Sequence, residues 1–409
     1  MVNVAIMGHG VVGAGVAEIL FFHRDRVSEK AKKDINVKYI LDIRDFDNLE
    51  YSDRFIKDFN IILNDPEVQV VVEVIGGCTF AYDYVKACLL AGKSVCTSNK
   101  ELVAQKGAEL LKIASDMNVN FLFEASVGGG IPVLRPMAQC LTANEITEVT
   151  GILNGTTNFI LTKMINENLS FEEALKIAQE LGYAEKDPTA DVEGLDACRK
   201  ICILASLGFG KHVYPSQVTC EGITNISLDD VEYADSFGSV IKLIGKARKL
   251  DNGQITAAVY PALVSRNNML SGVSDVFNAI MVRGEEVGDV MFYGRGAGKL
   301  PTASAVVGDV IDCVKHLETR KYLFWEDGDK SYVADYMNDI TKLFVRCTTD
   351  DCDGLIKEIE TIFSNVSYIK NANKNEVVFL TENDIENTLR NQIATLTKAT
   401  SVKVLHAID

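Results

Sequence analysis

No uninterrupted apolar stretch of the 409-residue chain approaches the ~20 residues that a bilayer-spanning helix needs, so no membrane role is expected. No basic segment precedes the strand-like run at 2–7, so no secretion signal is expected either. Of the ten cysteines, none falls in a Cys-x-x-Cys pair, and Cys198 and Cys202 share one face of a helical pattern as core residues would. Scattered, unpatterned cysteine fits a reducing cytoplasm better than a disulfide framework. Basic residues are outnumbered, 41 against 57 acidic, for a net charge of −16. Such a surface repels phosphate backbones and anionic lipid, so nucleic acid and membrane are not expected partners. The five histidines (His9, His23, His212, His316, His406) lie far apart, none at zinc-ligand spacing on a helix, and no catalytic metal centre is expected. Low-complexity segments and internal repeats are also missing.

The chain is too long for one core, and two or three domains are expected. Apolar runs at 2–7, 37–41, 68–75, 94–97 and 120–123 read as strands. They alternate with helical stretches at 11–20, 81–91 and 104–117. Strands that are almost wholly apolar and alternate with helices predict an α/β fold with a parallel sheet covered on both faces. This gives a Rossmann-type nucleotide-binding domain over 1–133, with 295–318 expected to return to it. The alternation stops near Pro132. Residues 134–320 read as a mixed α/β substrate-binding and catalytic domain, with strands at 146–152, 256–261 and 276–282. Its helices are expected at 157–168, at 171–181 with Gly182 placed to end it, and at 191–207. After a poorly patterned connection over 321–340, the pattern restarts. Strands at 342–347, 366–369, 376–380 and 402–407 and helices at 353–363 and 384–397 make a βαββαβ unit over 340–409.

The run Gly8-His9-Gly10-Val11-Val12-Gly13 follows the first strand and opens a helix. That context turns a weak Gly-x-Gly-x-x-Gly signal into a dinucleotide fingerprint. Gly8 allows a tight turn, Gly10 lets a pyrophosphate approach the backbone, and Gly13 lets the helix pack on the strand. The helix N-terminus presents N–H groups to phosphate. Past the second strand, Asp42 could accept from a ribose 2′-hydroxyl, favouring NAD, whereas Arg44 could reach a 2′-phosphate, favouring NADP. In a third reading the two simply pair with each other. NADP or NAD is the expected cofactor, with Arg44 tilting the choice to NADP.

The segment 181–200 is dense in charge and then turns abruptly apolar. Asp191 is expected to cap the helix that follows. On that helix Asp196 and Lys200 are four residues apart and share a face with Ile203 and Leu207. From Ile201 to Leu207 the helix is almost wholly apolar, as a buried segment is. A lysine in that setting is desolvated, which lowers its pKa toward the range useful for proton transfer. The bland alternative is an ordinary surface ion pair. Three further stretches sit where ligands bind in open α/β folds. Lys100, after the strand at 94–97, faces substrate or cofactor, or else only solvent. The glycine-rich run from Glu124 to Pro132 exposes carbonyls that, with Glu124, could hold a monovalent cation, or it is a plain hinge. The loop Gly294–Gly298 could approach the cofactor a second time, or it is a linker.

Assembled, these residues resemble homoserine dehydrogenase. The likeness runs from Val2 to about His316 and includes GHGVVGAG (8–15), SNKELV (98–103), EASVGGGIP (124–132), ILNGTTNFIL (152–161), LGYAEKDPTADVEGLDACRK (181–200) and YGRGAGKLPTASAVVGD (293–309). The resemblance implies reversible interconversion of L-homoserine and L-aspartate 4-semialdehyde, within threonine and methionine biosynthesis. It implies that Lys200 is the acid/base residue with Asp196 at its side. Glu185 and Asp196 bind the substrate amino group, with Tyr183, Thr156, Asp191 and Lys100 close by. Gly8, Gly10, Val11, Val12, Gly13 and Lys100 touch the cofactor, joined by Gly182, Glu185 and Gly296 or Gly298. Carbonyls of Val127, Gly129 and Ile131, with Glu124, resemble the family's site for a structural Na+ or K+. A homodimer and a cytoplasmic location are family expectations.

Residues 340–409 resemble an ACT domain, with Gly354 at the first strand-to-helix loop, and imply an amino-acid effector such as threonine. The Pro-Gly pair common in that loop is absent, and the first helix is acidic. The alternative there is a dimerising or stabilising appendage. Two competing functions are a dehydrogenase for another small semialdehyde and a nucleotide-binding sensor without catalysis. The 181–200 motif argues against the first, and the intact Lys200 and Asp196 argue against the second.

Overall fold

Six short, apolar segments form a parallel sheet: β1 (Val2–Met7), β2 (Ile35–Leu41), β3 (Phe55–Ile56), β4 (Val68–Glu73), β5 (Ser94–Thr97) and β6 (Phe121–Leu122). Their order is β3-β2-β1-β4-β5-β6, the doubly wound arrangement whose switch point lies at the carboxyl end of β1. Val4, Ile6, Val70, Val71, Val72 and Val95 are fully buried, which explains why these strands read as continuous apolar runs and not as alternating ones. The structure, a computed structural model, describes residues 1–319, 323–364 and 366–409. Residues 321 and 322, where the sequence places the start of the connection over 321–340, lie outside that set.

The chain divides into two compact units. The first comprises 1–149, 199–217 and 278–330 and holds the parallel sheet. Helix α1 (Val11–Phe22) follows β1, and the later helix Lys299–Lys315 packs against it. Gly15 permits that approach, since a Cβ there would lie 2.9 Å from the Ala303 side chain.

The second unit comprises 150–198, 218–277 and 331–409. Its mixed sheet runs Ser239–Lys249, Ile255–Ser265, Ser401–Ile408, Ile340–Thr348, Glu376–Leu380, Ser367–Asn371. The last four of these strands, with helices Cys352–Ile362 and Glu386–Ile393, make the βαββαβ module. Its core is built on Leu343, Val345, Leu355, Ile359, Phe379 and Leu389. The module's final strand also pairs in parallel with Ile255–Ser265, Ala262 opposite His406. One sheet therefore runs through the module and its neighbour.

Several elements differ from the expectation. Helix 191–207 is two pieces, Thr189–Val192 and Leu195–Phe209. Gly194, at φ +79°, turns the chain between them. Asp191 lies inside the short helix and does not cap the long one. Strands Ser239–Lys249 and Gly288–Arg295 and helix Leu228–Ser236 have no counterpart in the sequence pattern. The strand expected to stop at Pro261 continues to Ser265. Pro261, which has no N–H to donate, falls between the stretch paired with Thr219–Cys220 and the stretch paired with the last strand.

Candidate active site

The turn after β1 is shaped by its glycines. Gly8 has φ +100°, and a Cβ there would lie 2.9 Å from the Val74 carbonyl oxygen. A Cβ on Gly13 would come within 2.1 Å of the Gly8 carbonyl oxygen. Around Gly10, by contrast, nothing lies within 4 Å of an added Cβ. No side chain among the described residues caps α1, so its first N–H groups face that open space. Val11 beside it is 70% exposed, and Val12 is half-buried. This open cradle at a helix N-terminus fits a pyrophosphate. Loop Gly296–Gly298 joins the same unit: the Gly130 N–H donates to the Arg295 carbonyl at 3.2 Å, and a Cβ on Gly129 would sit 2.5 Å from the Gly296 oxygen. Gly298, at φ +121°, immediately precedes the helix that packs on α1.

Asp42 is fully engaged. One carboxylate oxygen accepts the His9 N–H at 2.7 Å and the other the Arg44 N–H at 3.0 Å. The Arg44 guanidinium donates to both, at 3.0 and 2.9 Å. Hydrogen bonds from Arg44 hold the Asp42 carboxyl well below the usual carboxylate range. The two side chains therefore pair with each other.

At the carboxyl ends of β4 and β5, Glu73 is a buried acid that the sequence does not flag, because it ends an apolar run. It accepts from the Thr97 hydroxyl at 2.6 Å and from the Ile75 and Gly76 N–H groups at 2.8 and 3.2 Å. Burial pushes its carboxyl up, against the pull of those donors. Asn99 caps the helix that begins at Lys100 and donates to the Gly77 carbonyl at 2.6 Å. Lys100 is thereby held, half-buried, at the first position of a rigid helix.

Glu124 is buried, and its carboxylate accepts three N–H groups: Val133 at 2.6 Å, Leu134 at 2.8 Å and Arg135 at 2.8 Å. Three of a carboxylate's roughly four acceptor positions are thus taken by backbone N–H groups. The adjoining turn carries Gly128 and Gly129 at positive φ, and Val127, Gly129 and Ile131 are all buried.

In the second unit, Asn154 draws the acidic residues together. Its amide nitrogen donates to Asp191 at 2.7 Å and to Asp196 at 2.9 Å. The sequence does not single Asn154 out, because a neutral side chain in a strand-to-helix turn reads as a cap. It is that cap as well, accepting from the Thr157 N–H at 2.8 Å. Thr156 and Tyr183 also meet, the Thr156 hydroxyl donating to the Tyr183 carbonyl at 2.8 Å. Gly182, at φ +75°, ends helix Phe171–Glu180 and leaves Tyr183 and Glu185 exposed. Asp196 lies in the first turn of helix Leu195–Phe209 and is buried. Lys200, one turn further along the same helix, falls in the stretch 199–217 that belongs to the first unit, and is 7% exposed.

A dinucleotide cradle on a parallel sheet, with a buried lysine one helical turn from a buried aspartate, defines an NAD(P)-dependent oxidoreductase. Residues 8–124 match the family described as "Homoserine dehydrogenase, NAD binding domain", and residues 132–311 match "Homoserine dehydrogenase". The chain belongs to the homoserine dehydrogenases, which interconvert L-homoserine and L-aspartate 4-semialdehyde. It is 43% identical to the homoserine dehydrogenase of Bacillus subtilis over 320 residues, 77% of this chain and 73% of that one. With the Corynebacterium glutamicum enzyme it shares 36% identity over 424 aligned residues, 100% of this chain and 95% of that one. A crystal structure of a homoserine dehydrogenase from Thiobacillus denitrificans superposes with a TM-score of 0.90 at 32% identity, covering 100% of this chain and 98% of that one. A hyperthermophilic archaeal homoserine dehydrogenase in complex with NADPH matches at a TM-score of 0.64 and 28% identity, over 76% of this chain and 97% of its own. Among the described residues, no helix is long and apolar enough to cross a membrane.

Proposed function

We propose that Lys200 moves the proton in this reaction and that Asp196 and Glu185, with Asp191, Tyr183 and Thr156 near them, hold the substrate's α-ammonium. A bound nicotinamide coenzyme supplies or accepts the hydride at the reacting carbon. In the oxidative direction, neutral Lys200 accepts the proton of the substrate hydroxyl. In the reductive direction its ammonium stabilises the developing alkoxide and protonates it. Carboxylates paired with the α-ammonium fix the orientation of the reacting carbon, which lowers the entropic part of the barrier. No nucleophile or covalent intermediate is required.

The observation that carries this reading is the burial of Lys200 on the helix that also carries Asp196. Gly8, Gly10, Val11, Val12, Gly13, Lys100, Gly182, Glu185, Gly296 and Gly298 are the proposed coenzyme contacts. Turnover of homoserine with NADP and with NAD, measured side by side, tests the reading. Activity with either coenzyme supports it, and coenzyme binding without turnover would point to the sensor alternative.

Glu124 and the carbonyls of Val127, Gly129 and Ile131 would hold a sodium or potassium ion in a structural role. A homodimer in the cytoplasm is the proposed working state; ten cysteines, all free thiols, support the reducing compartment. For residues 340–409 we propose an ACT-like regulatory module with threonine as the effector to test. One feature of the loop weighs against a carboxylate ligand there. The Asp351 side chain itself caps the helix, accepting the Gly354 N–H at 2.9 Å, and pairs with Lys398 at 3.1 Å. Threonine titration of the full chain decides between effector and appendage.

A further inference from the structure

We propose that Glu73 is a positioning residue for the nicotinamide half of the coenzyme, holding the chain beyond β4 and the chain beyond β5 at one fixed spacing. The proposal rests on the assignment of Lys100 as a contact to coenzyme or substrate. Glu73 ends β4 and is fully buried. One carboxylate oxygen accepts the Ile75 N–H at 2.8 Å and the Gly76 N–H at 3.2 Å, and the other accepts the Thr97 hydroxyl at 2.6 Å. The Thr97 oxygen in turn accepts the Asn99 N–H at 2.9 Å. The Asn99 amide nitrogen donates to the Gly77 carbonyl at 2.6 Å, which brings the path back to the turn it started from. Glu73, Gly76, Gly77, Asn99 and Thr97 therefore form a closed ring across the ends of two neighbouring strands. Outside the ring, the Asn99 side-chain oxygen caps the helix that begins at Lys100, accepting the Leu102 N–H at 3.1 Å.

The sheet does not need this ring. β4 and β5 are already paired in parallel from Val70 opposite Ser94 to Glu73 opposite Thr97. What that ladder leaves undetermined is the chain beyond the strand ends. Gly76 and Gly77 have φ +85° and +70°, and nothing lies within 4 Å of a Cβ added to either. Two consecutive glycines without packing are the least constrained backbone a turn can have. The ring supplies the constraint and leaves their open side unfilled. This turn also adjoins the dinucleotide fingerprint. The Val74 N–H donates to the Met7 carbonyl at 2.9 Å, and a Cβ on Gly8 would lie 3.1 Å from the Ile75 nitrogen. In a doubly wound sheet a dinucleotide spans the crevice at this switch point. With the pyrophosphate at Gly10, the half that carries nicotinamide falls on the side of β4 and β5. An ionised carboxylate only accepts, so the three donors that meet Glu73 give the ring one direction. Glutamine would turn an N–H toward the Thr97 oxygen, leave the Thr97 hydroxyl without its acceptor, and open the ring there.

The test separates the two halves of the coenzyme. Glu73→Gln and Thr97→Val open the ring, at the carboxylate and at the hydroxyl, and Thr97→Ser keeps it closed. With NADPH and L-aspartate 4-semialdehyde, the first two are expected to lower kcat by about 10- to 100-fold, the scale of a reacting group misplaced by ~1 Å. The fluorescence of bound NADPH, which reports the surroundings of the nicotinamide ring, should move toward that of the free coenzyme. Binding of 2′,5′-ADP, the adenine half alone, should stay within about twofold of wild type, as for a site with no shared partner. Thr97→Ser should match the wild type in all three measurements. A merely structural ring would weaken 2′,5′-ADP and NADPH together and leave the bound fluorescence where it was, which would overturn the proposal. Wild-type kcat in Glu73→Gln and Thr97→Val would overturn it too. Should Glu73→Gln fail to fold, the two Thr97 variants carry the same comparison. Lys100→Met separates the two levels of inference. If it loses turnover while the ring variants do not, the positioning role is wrong and the assignment of Lys100 stands. If it keeps wild-type kinetics, the assignment of Lys100 is wrong and the proposal falls with it.

Discussion

Asp42 and Arg44 are locked to each other at the end of β2, the guanidinium donating to both carboxylate oxygens at 3.0 and 2.9 Å. The pair has a consequence for coenzyme choice. A carboxylate already holding a guanidinium and two backbone N–H groups has little capacity left for a ribose hydroxyl. Arg44, exposed on its other side, can turn to a 2′-phosphate. Arg44→Ala is expected to raise the NADP Michaelis constant by roughly tenfold or more, the scale of a lost charge-assisted contact, and to spare or improve NAD. Steady-state kinetics with both coenzymes check this. An equal rise for both would make the pair a structural brace.

The phosphate turn separates folding from binding at two glycines of one motif. Gly13→Ala puts a methyl 2.1 Å from the Gly8 carbonyl, so the backbone must move. It is expected to lower the melting temperature as well as coenzyme affinity. Gly10 has φ −76°, and its methyl would meet open space. Gly10→Ala should therefore melt like the wild type and lose coenzyme affinity alone. Thermal melting and coenzyme titration of both variants would show the contrast, and a melting loss at position 10 would contradict it.

How far the sequence can be read follows from burial. Strands of the first sheet are apolar on both faces, so runs such as Val68–Glu73 stand out without any period. In the motif 181–200, Asp191, Asp196 and Lys200 stand out because charge beside a buried helix is unusual. Strand Ser239–Lys249 is hidden for the opposite reason: Lys242 and Lys246 interrupt it, and only the fold reveals that Lys242 is buried. The break at Gly194 hides inside a helical pattern, and Asn154 looks like a cap and no more. Local pattern carries periodicity and charge; it does not carry which partners a polar side chain finds across the chain.

Lys242 supplies a pH-dependent expectation. Its ammonium donates to the Val273 carbonyl at 2.5 Å and to Asn158 at 3.1 Å, and burial lowers its pKa to about 8. Below about pH 8 both folded and unfolded chains are protonated there, and the cost of burying the charge is fully present. Between about 8 and 10.5 the unfolded chain binds more protons, so this group makes stability rise with pH. The rise is on the order of 3 kcal/mol across that window. Urea unfolding of the wild type and Lys242→Met near pH 7.5 and pH 10 should show the difference moving in the wild type's favour. A difference independent of pH would contradict the assignment.

Deleting residues 336–409 should damage the fold and not merely regulation. Strand Ser401–Ile408 lies between Ile255–Ser265 and Ile340–Thr348, so its loss bares the side of a buried strand. Asp230, fully buried, would lose its ion pairs with Arg346, at 3.1 Å, and Lys403. A buried charge left without its partners costs about 3–5 kcal/mol, enough to lower the melting temperature of a chain this long by roughly 5 °C. Calorimetry of the truncated chain checks this, and an unchanged melting temperature would identify the module as a detachable appendage.

The most direct measurement is the turnover of Lys200→Ala. Alanine suits a helix at least as well as lysine, so the variant is expected to fold and to bind coenzyme with nearly wild-type affinity. Loss of the acid/base group should reduce kcat by about 10²–10⁴-fold in both directions. A folded variant that binds coenzyme and retains more than about a tenth of wild-type kcat, far above that range, would contradict the role assigned to Lys200.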